Sequence, residues 1–193
     1  MNRERNRGGA RGASSFHMQN SEEVFAQIDV KKGERFLDLG CGMGDYSFEA
    51  AERVGDTGKV FAVDRWEGLI GFVNRECREK QIQHIEAISL DITQKLPFPN
   101  QSMDVCLLAT VLHTIRPHQV KVELIKELKR VTKNTGQAAI LNVKKEDLPF
   151  GPPSELKVSP RETEILFKNC GLKKIGYYEF QYTYLIRFSP ENG

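Results

Sequence analysis

Short apolar runs alternate with amphipathic stretches through most of the chain. Five runs have the length of buried strands: Arg35–Leu39, Val60–Asp64, Ile85–Ile88, Val105–Ala109 and Ala138–Val143. Between several of them, apolar residues recur at the three- and four-residue spacing of a helix that buries one face. Strands that alternate with helices are joined by right-handed crossovers, so the pattern predicts a parallel, doubly wound α/β sheet.

Two helices have boundaries that can be read from the residues. Asn20 and Glu23 have the spacing of a capping box, which predicts a helix beginning near Ser21. The run Ser159–Glu162 combines an N-cap serine, a proline at the first helical position and a capping glutamate, so a second helix begins there and ends at Gly171.

The end of the chain has a different pattern. Two β-rich runs, Lys173–Phe180 and Tyr182–Phe188, follow each other too closely for a crossover helix. They must therefore pair antiparallel, as a hairpin at one edge of the sheet.

The composition is that of one globular domain. With 193 residues, 39% hydrophobic and 28% charged, the chain is long enough to bury a core of its own. We find neither an apolar run near the ~18 residues of a membrane span nor the apolar stretch of a secretory signal, so a cytoplasmic location is expected. Four scattered cysteines, three of them in apolar patterns, argue against a zinc site or a disulfide framework and are expected to be small buried residues.

The positive charge is concentrated at the N-terminus. Met1–Ser15 holds four arginines and one glutamate, which account for +3 of a net charge of +2 and leave −1 for the remainder. This arginine- and glycine-rich segment is predicted to be a disordered tail preceding a single domain, residues 16–193, although a basic arm that contacts RNA is an alternative. Because the domain itself has no strong positive charge, nucleic acid is not expected to be its main partner.

A glycine-rich loop follows the first predicted strand. Asp38–Gly44 reads DLGCGMG, at the carboxyl edge of the sheet where open α/β folds bind ligands. Dinucleotide-binding loops have the spacing GxGxxG, whereas this loop has GxGxG flanked by Asp38 and Asp45. Two carboxylates would repel a pyrophosphate and attract a cationic sulfonium bearing an amino group. A tight turn without a ligand is the alternative.

Acidic residues also follow the next two strands. Asp64 has two acceptor oxygens, which match the two hydroxyls of a ribose. Asp91 is placed to accept from an adenine amino group, with the Ile92 backbone as a donor. Arg65 and Trp66 either stack on the adenine or lie on the surface as a solvated cation and a helix anchor.

These motifs together resemble those of the class I S-adenosylmethionine-dependent methyltransferases. FLDLGCGMGDYS looks like the first motif of that family, KVFAVDRW the second, SLDITQKLPFP the third and SMDVCLLATVLHTI the fourth. The resemblance covers the chain from about Phe16 to Phe188 and implies a Rossmann-like sheet of seven strands whose last strand is antiparallel. It also implies S-adenosylmethionine as cofactor and no metal. The residues implied to hold the cofactor are Asp38, Gly40, Gly42, Gly44, Asp64, Arg65, Asp91, Ile92 and Ala109.

Differences from the family's motifs narrow the range of expected methyl acceptors. Ala109–His113 replaces the asparagine-proline-proline-aromatic motif of enzymes that methylate amino groups of DNA and RNA. The chain is most similar to small proteins related to ubiquinone and menaquinone biosynthesis methyltransferases and to arsenite methyltransferases, but its cysteines do not match an arsenic site. The sequence has no long insertion in which a module for recognising a macromolecule could lie, so a small or modest-sized acceptor is expected. The candidate walls of its site are Lys144, Lys145, Pro149–Pro153, Tyr182 and Tyr184. The sequence does not indicate an oligomeric state.

Methyl transfer from a sulfonium depends mainly on alignment and exclusion of water, so a general base is optional. His113 is the candidate base because it follows the fourth strand near the cofactor edge, and the alternative is a histidine that packs or starts a helix. His17 precedes the first helix, in a segment that is a candidate lid. Two further functions stay open: a noncatalytic S-adenosylmethionine-binding regulator or partner protein, and a nucleotide-dependent oxidoreductase.

Overall fold

The computed structural model describes residues 15–191. Except for Ser15, the predicted basic tail lies outside the described residues. The helices are α1 (Ser21–Ile28), α2 (Asp45–Val54), α3 (Glu67–Glu79), α4 (His118–Val131) and α5 (Pro160–Asn169), with 3-10 turns at Ser15–Met18, Leu112–Thr114 and Ser154–Leu156. The strands are β1 (Arg35–Leu39), β2 (Lys59–Asp64), β3 (Ile85–Ser89), β4 (Met103–Ala109), β5 (Thr132–Val143), β6 (Leu172–Glu179) and β7 (Thr183–Pro190).

All seven strands form one sheet in the order β3-β2-β1-β4-β5-β7-β6. The pairs from β3 to β5 are parallel, whereas β7 runs antiparallel to both β5 and β6. The predicted doubly wound sheet with an antiparallel C-terminal hairpin is therefore confirmed. The strand order reverses between β1 and β4, so the carboxyl ends of these two strands open the crevice in which such folds bind ligands.

Helices cover both faces of the sheet, and alternate strand residues supply the two cores. In β1, Phe36 packs with α1, α2 and α3, while Leu37 and Leu39 face the side of α4 and α5. Cys41, Cys77 and Cys106 are buried in these cores, as expected of small apolar residues. Within the described range, no helix is both long enough and apolar enough to cross a bilayer.

Strand β5 begins at Thr132 instead of the predicted Ala138, directly after α4. Its first residues are polar, and they pair with β4 through an irregular register between Met103 and Val105. Gly136 permits this pairing, because a Cβ there would lie 2.6 Å from the Asp104 carbonyl oxygen. The apolar pattern did not reveal this extension because Thr132–Gln137 contains no large apolar side chain.

Candidate functional site

A cavity of about 1700 Å³ opens at the carboxyl edge of the sheet. The loops after β1, β2 and β3 form one side of it, and the segments after β4 and β5 form the other side. Residues of the N-terminal 3-10 turn, Ser15, His17 and Met18, also line it. The cavity therefore lies where the strand order reverses, as the sequence predicts for a ligand site.

The glycine-rich loop turns tightly because its glycines adopt positive φ angles. Gly40 has φ +79°, and a Cβ there would lie 2.6 Å from a methyl carbon of Val111. Gly42 has φ +56°, and a Cβ there would meet nothing within 4 Å, because it would point into open space. Gly44 has φ +84° and packs against Val73 of α3. The loop thus exposes bare backbone to the cavity at Gly42.

Backbone groups hold the Asp64 carboxylate at the end of β2. Its Oδ2 accepts from the Gly42 N–H at 3.1 Å, and its Oδ1 accepts from the Trp66 N–H at 3.0 Å. Each carboxylate oxygen can accept a second hydrogen bond. Asp64 is therefore oriented towards the cavity and keeps acceptor capacity for a ligand.

Asp38 lies behind the glycine loop, almost completely buried. Its Oδ2 accepts from the Ser47 hydroxyl at 2.6 Å. Burial raises the pKa of Asp38 to about 7, and the negative charges of Asp64 and Asp45 act in the same direction, whereas the Ser47 hydrogen bond opposes them. Several carboxylates packed around one loop create a negative potential that favours a cationic ligand.

Asp91 and Ile92 line the cavity directly after β3. The Asp91 Oδ1 accepts from both the backbone N–H and the hydroxyl of Thr93, at 2.9 and 2.8 Å. These hydrogen bonds lower the pKa of Asp91, so it is ionised at neutral pH. Ile92 is buried and presents an apolar surface beside this carboxylate.

Arg65 and Trp66 lie on the surface rim of the same wall. The Arg65 guanidinium stacks over the Trp66 ring at 5.1 Å, and 61% of Trp66 is exposed. Both residues line the cavity, and their stacking on an adenine stays a prediction.

Thr110 directly follows β4 and has a backbone conformation that is rare for a β-branched residue, with φ +54°. Its hydroxyl donates to the Ser15 hydroxyl at 3.3 Å, and Ser15 lies 3.2 Å from the Tyr46 hydroxyl. Gln19 donates to the same Tyr46 hydroxyl at 3.1 Å and accepts from Thr183 at 2.6 Å. These neutral hydrogen bonds hold the segment before α1 over the cavity.

His113 lies in the 3-10 turn after β4 and lines the cavity. Burial lowers its pKa, and the positive charge of Lys121 adds to the effect. The imidazole is therefore neutral at pH 7 and able to accept a proton. His17, the other histidine on the cavity, is exposed, with its Nε2 3.9 Å from the Asp45 Oδ2.

The segment after β5 and the turn between β6 and β7 form an aromatic wall. The rings of Phe150 and Tyr182 meet edge to face with their centres 5.0 Å apart, next to Gly151 and Pro152. The prediction that Tyr184 belongs to this wall is wrong. Its ring is completely buried, and its hydroxyl donates to the carbonyl oxygen of Val158 in the core.

A family model described as a methyltransferase domain matches residues 30–184, which include every strand that borders the cavity. The chain belongs to this methyltransferase-domain family. The resemblance read from the four sequence motifs is therefore confirmed.

Relatives and solved structures agree with this family. The chain is 30% identical to a demethylmenaquinone methyltransferase of Geobacillus kaustophilus over 135 residues, 70% of this chain and 56% of that protein. It is 27% identical to the corresponding protein of Listeria welshimeri over 69% of this chain and 55% of that one. The chain therefore spans about half the length of the curated relatives that it matches.

A crystal structure of an S-adenosylmethionine-dependent methyltransferase from Aquifex aeolicus superposes with a TM-score of 0.82 and 26% identity, covering 90% of this chain and 91% of that one. The Bacillus YcgJ structure, at 15% identity and a TM-score of 0.70 over 89% of this chain and 98% of that one, shows the same fold. Family and fold together confirm S-adenosylmethionine as the cofactor of the methyltransferase domain.

The methyltransferase domain brings most of the predicted site residues to one cavity. Asp38 and Gly44 are the exceptions, since they lie behind the described wall and support the loop. Those that line it are Gly40, Gly42, Asp64, Arg65, Asp91, Ile92, Ala109 and His113. Sequence reasoning missed Phe72, Arg75 and Arg116, which also line it. The helical spacing of Phe72 from Leu69 was a usable signal, whereas nothing local marked Arg116.

Proposed function

We propose that this protein transfers the methyl group of S-adenosylmethionine to a small acceptor held in the same cavity. One observation carries the proposal: the loop after β1 leaves open space at Gly42, beside an Asp64 carboxylate that two backbone N–H groups orient. A cofactor that combines a ribose with a positively charged amino acid part needs both features at one place.

Each part of the cofactor has a residue whose chemistry fits it. Asp64 accepts hydrogen bonds from the ribose hydroxyls. Asp91 accepts a hydrogen bond from the adenine amino group, while Ile92 packs beside the ring. The bare backbone of Gly40 and Gly42 faces the methionine part. Burial keeps the Asp38 carboxyl partly protonated near pH 7, and a positive charge bound above it favours the ionised carboxylate.

The same electrostatics argue against the oxidoreductase alternative. A nicotinamide dinucleotide would bring its pyrophosphate to the N-terminal end of α2, where Asp45 is the first helical residue and Asp38 lies below. These carboxylates would repel the pyrophosphate and attract a sulfonium. The cavity therefore favours a cationic nucleoside.

The bound cofactor supplies an electrophilic methyl group, and the protein must align an acceptor with it and exclude water. The segments after β4 and β5 form the wall opposite the cofactor loops, and we assign the acceptor to this side. His113 on this wall is neutral at pH 7 and takes the acceptor's proton when the acceptor needs deprotonation.

The size of the cavity supports a small-molecule acceptor. Its volume of about 1700 Å³ exceeds the roughly 300–1,000 Å³ of a pocket for one ligand, which leaves room for an acceptor beside the cofactor. The names of the demethylmenaquinone methyltransferases, which match about half of their length, support an acceptor of this class.

Binding of the cofactor product tests the first half of the proposal. S-adenosylhomocysteine at 100 times its Kd should stabilise the protein by about 2.7 kcal/mol, a rise in Tm of several degrees, and NAD should not. Asp64→Ala should lose most of this rise, whereas Asp56→Ala, in a turn outside the cavity, should keep it. Equal shifts with both ligands would reject the proposal.

Turnover tests the second half and separates an enzyme from a noncatalytic binding protein. The protein is incubated with S-adenosylmethionine and a panel of small phenols, thiols, amines and carbon acids, and release of S-adenosylhomocysteine is measured. Acceptor-dependent release supports catalysis. A protein that binds the product tightly but methylates nothing in a broad panel would favour the regulatory alternative.

A further inference from the structure

The acceptor side of the cavity has one permanently charged residue, Arg116. It lies directly after the 3-10 turn that contains His113, and its side chain is exposed at the cavity. The other described residues that line the cavity from the segments after β4 and β5 are apolar, hydroxylic or neutral, and none of them is acidic. Asp64 and Asp91, by contrast, belong to the cofactor side.

The Arg116 guanidinium lacks a partner within residues 15–191, where it has neither a hydrogen bond nor an ion pair. Lys121, in the first turn of α4, adds a second positive charge. Burial lowers the pKa of Lys121, and repulsion from Arg116 lowers it further. Two like charges close together are unfavourable until an anion neutralises them.

The acidic group that attracts Lys121 does not fill this role. Glu162 attracts Lys121, but its carboxylate already accepts from the Lys145 ammonium at 3.0 and 3.1 Å and from the Ser159 hydroxyl at 2.6 Å. Its pKa of about 2 reflects these contacts. The positive potential beside the acceptor wall therefore persists.

Apolar and aromatic surface adjoins this charge. Ile115 directly precedes Arg116 and Val120 follows it by four residues, and both line the cavity, as does the edge-to-face pair of Phe150 and Tyr182. Such surface accepts a flat apolar body, whose burial contributes most of the affinity of a typical small-ligand site.

We propose that the methyl acceptor is an amphipathic anion: a flat apolar or aromatic body that carries a carboxylate or phosphate, which pairs with Arg116. This inference rests on the proposed function, because it assumes an acceptor in the cavity. The planar guanidinium binds either oxyanion with two parallel hydrogen bonds. Arg116 is then the residue that selects charged acceptors over neutral analogues of the same shape.

Matched probes test the selection without knowledge of the acceptor. Binding of 2-naphthoate, 2-naphthyl phosphate and neutral 2-naphthalenemethanol is measured by calorimetry on protein saturated with S-adenosylhomocysteine, at low salt. At least one anion should bind about 10-fold more tightly than the alcohol, as expected for one charge-assisted pair. Which anion is preferred distinguishes a carboxylate site from a phosphate site.

Variants assign the preference to its residue. Arg116→Gln should bring the anion-to-alcohol affinity ratio to about 1. Arg116→Lys should keep part of the preference, because lysine has the positive charge but cannot donate two parallel hydrogen bonds from a planar group. Arg75→Gln removes a positive charge from the α3 side of the cavity and should keep the ratio. Arg116 is exposed, so its variants should melt like the wild type.

The outcomes are separable from those of the proposed function. If the wild-type protein does not bind S-adenosylhomocysteine, the proposed function is rejected before any probe is added. If that ligand binds normally and neither anion is preferred, or if Arg75→Gln and not Arg116→Gln removes the preference, the acceptor inference is overturned.

Discussion

Gly42→Ala separates the backbone requirement of the glycine loop from its binding role. The residue has φ +56°, and an added Cβ meets no protein atom within 4 Å. The folded state is therefore destabilised only by placing an L-residue in the left-handed region, by about 1–2 kcal/mol. This lowers the Tm of a domain of this size by roughly 2–8 °C. The new methyl group occupies space that the cofactor needs, so we expect the Kd for S-adenosylhomocysteine to rise at least about 10-fold.

Gly33→Ala is the matched control. Gly33 has φ +81°, and its added Cβ would lie 3.5 Å from the Thr57 hydroxyl oxygen, an ordinary contact. It lies in the turn after α1, away from the cavity. The same backbone cost is therefore expected without any change in ligand affinity.

The assay is thermal unfolding with and without S-adenosylhomocysteine, at a concentration about 100 times the wild-type Kd. The ligand should stabilise the wild type and Gly33→Ala by about 2.7 kcal/mol, and Gly42→Ala, with a 10-fold weaker Kd, by about 1.4 kcal/mol or less. Equal stabilisation of the two alanine variants would refute the assignment of Gly42 to the cofactor surface.

Three further variants test the site and the fold. His113→Gln should lower kcat by about 100-fold with an identified acceptor that needs deprotonation, and leave S-adenosylhomocysteine affinity unchanged; the exposed His118→Gln is its control, and equal loss in both would exclude a base. Because the pKa of Asp38 is raised from 3.8 to about 7, the folded state holds a proton that the unfolded chain releases, so the free energy of unfolding falls as pH rises between these values, by at most about 1.4 kcal/mol per pH unit. Urea unfolding across this range should show that Asp38→Asn reduces the fall, and an unchanged slope would assign it elsewhere. Ser159→Ala should destabilise the protein by about 1 kcal/mol in the same assay because it removes the cap of α5, whereas Ser154→Ala, which starts a 3-10 turn, should have little effect; the reverse ranking would contradict the capping argument.

Local patterns predicted much of the fold because local physics determines those features. The bounds of β1 agree with its apolar run, and the full capping box at Ser159 forms as its residues indicate. At Asn20 the predicted capping box forms only in part. The Asn20 side chain caps α1 by accepting from the Glu22 N–H. Within residues 15–191, the cap oxygen of Asn20 accepts from this N–H and not from the N–H of Glu23, one position later.

Other features depend on contacts that no short pattern contains. Ser15 belongs to the predicted tail, yet it is buried because Tyr46 and Thr110, far along the chain, supply its hydrogen-bond partners. The positive φ of Thr110 likewise follows from its position between β4 and the cavity. Arg116 reaches the cavity through the turn after β4, and its lack of a partner is visible only in three dimensions.

The N-terminal turn that lies over the cavity is fastened by hydroxyl and amide groups. The hydrogen bonds of Ser15, Gln19 and Thr183 involve no full charge, and the contact of His17 with Asp45 in the same turn, at 3.9 Å, is longer than a hydrogen bond. Added salt screens charged pairs and leaves such bonds nearly unaffected. If this turn must detach before the spent nucleoside leaves, its departure rate should change little across ionic strengths that weaken capture of a charged acceptor, so one salt titration would separate release of the nucleoside from capture of the acceptor.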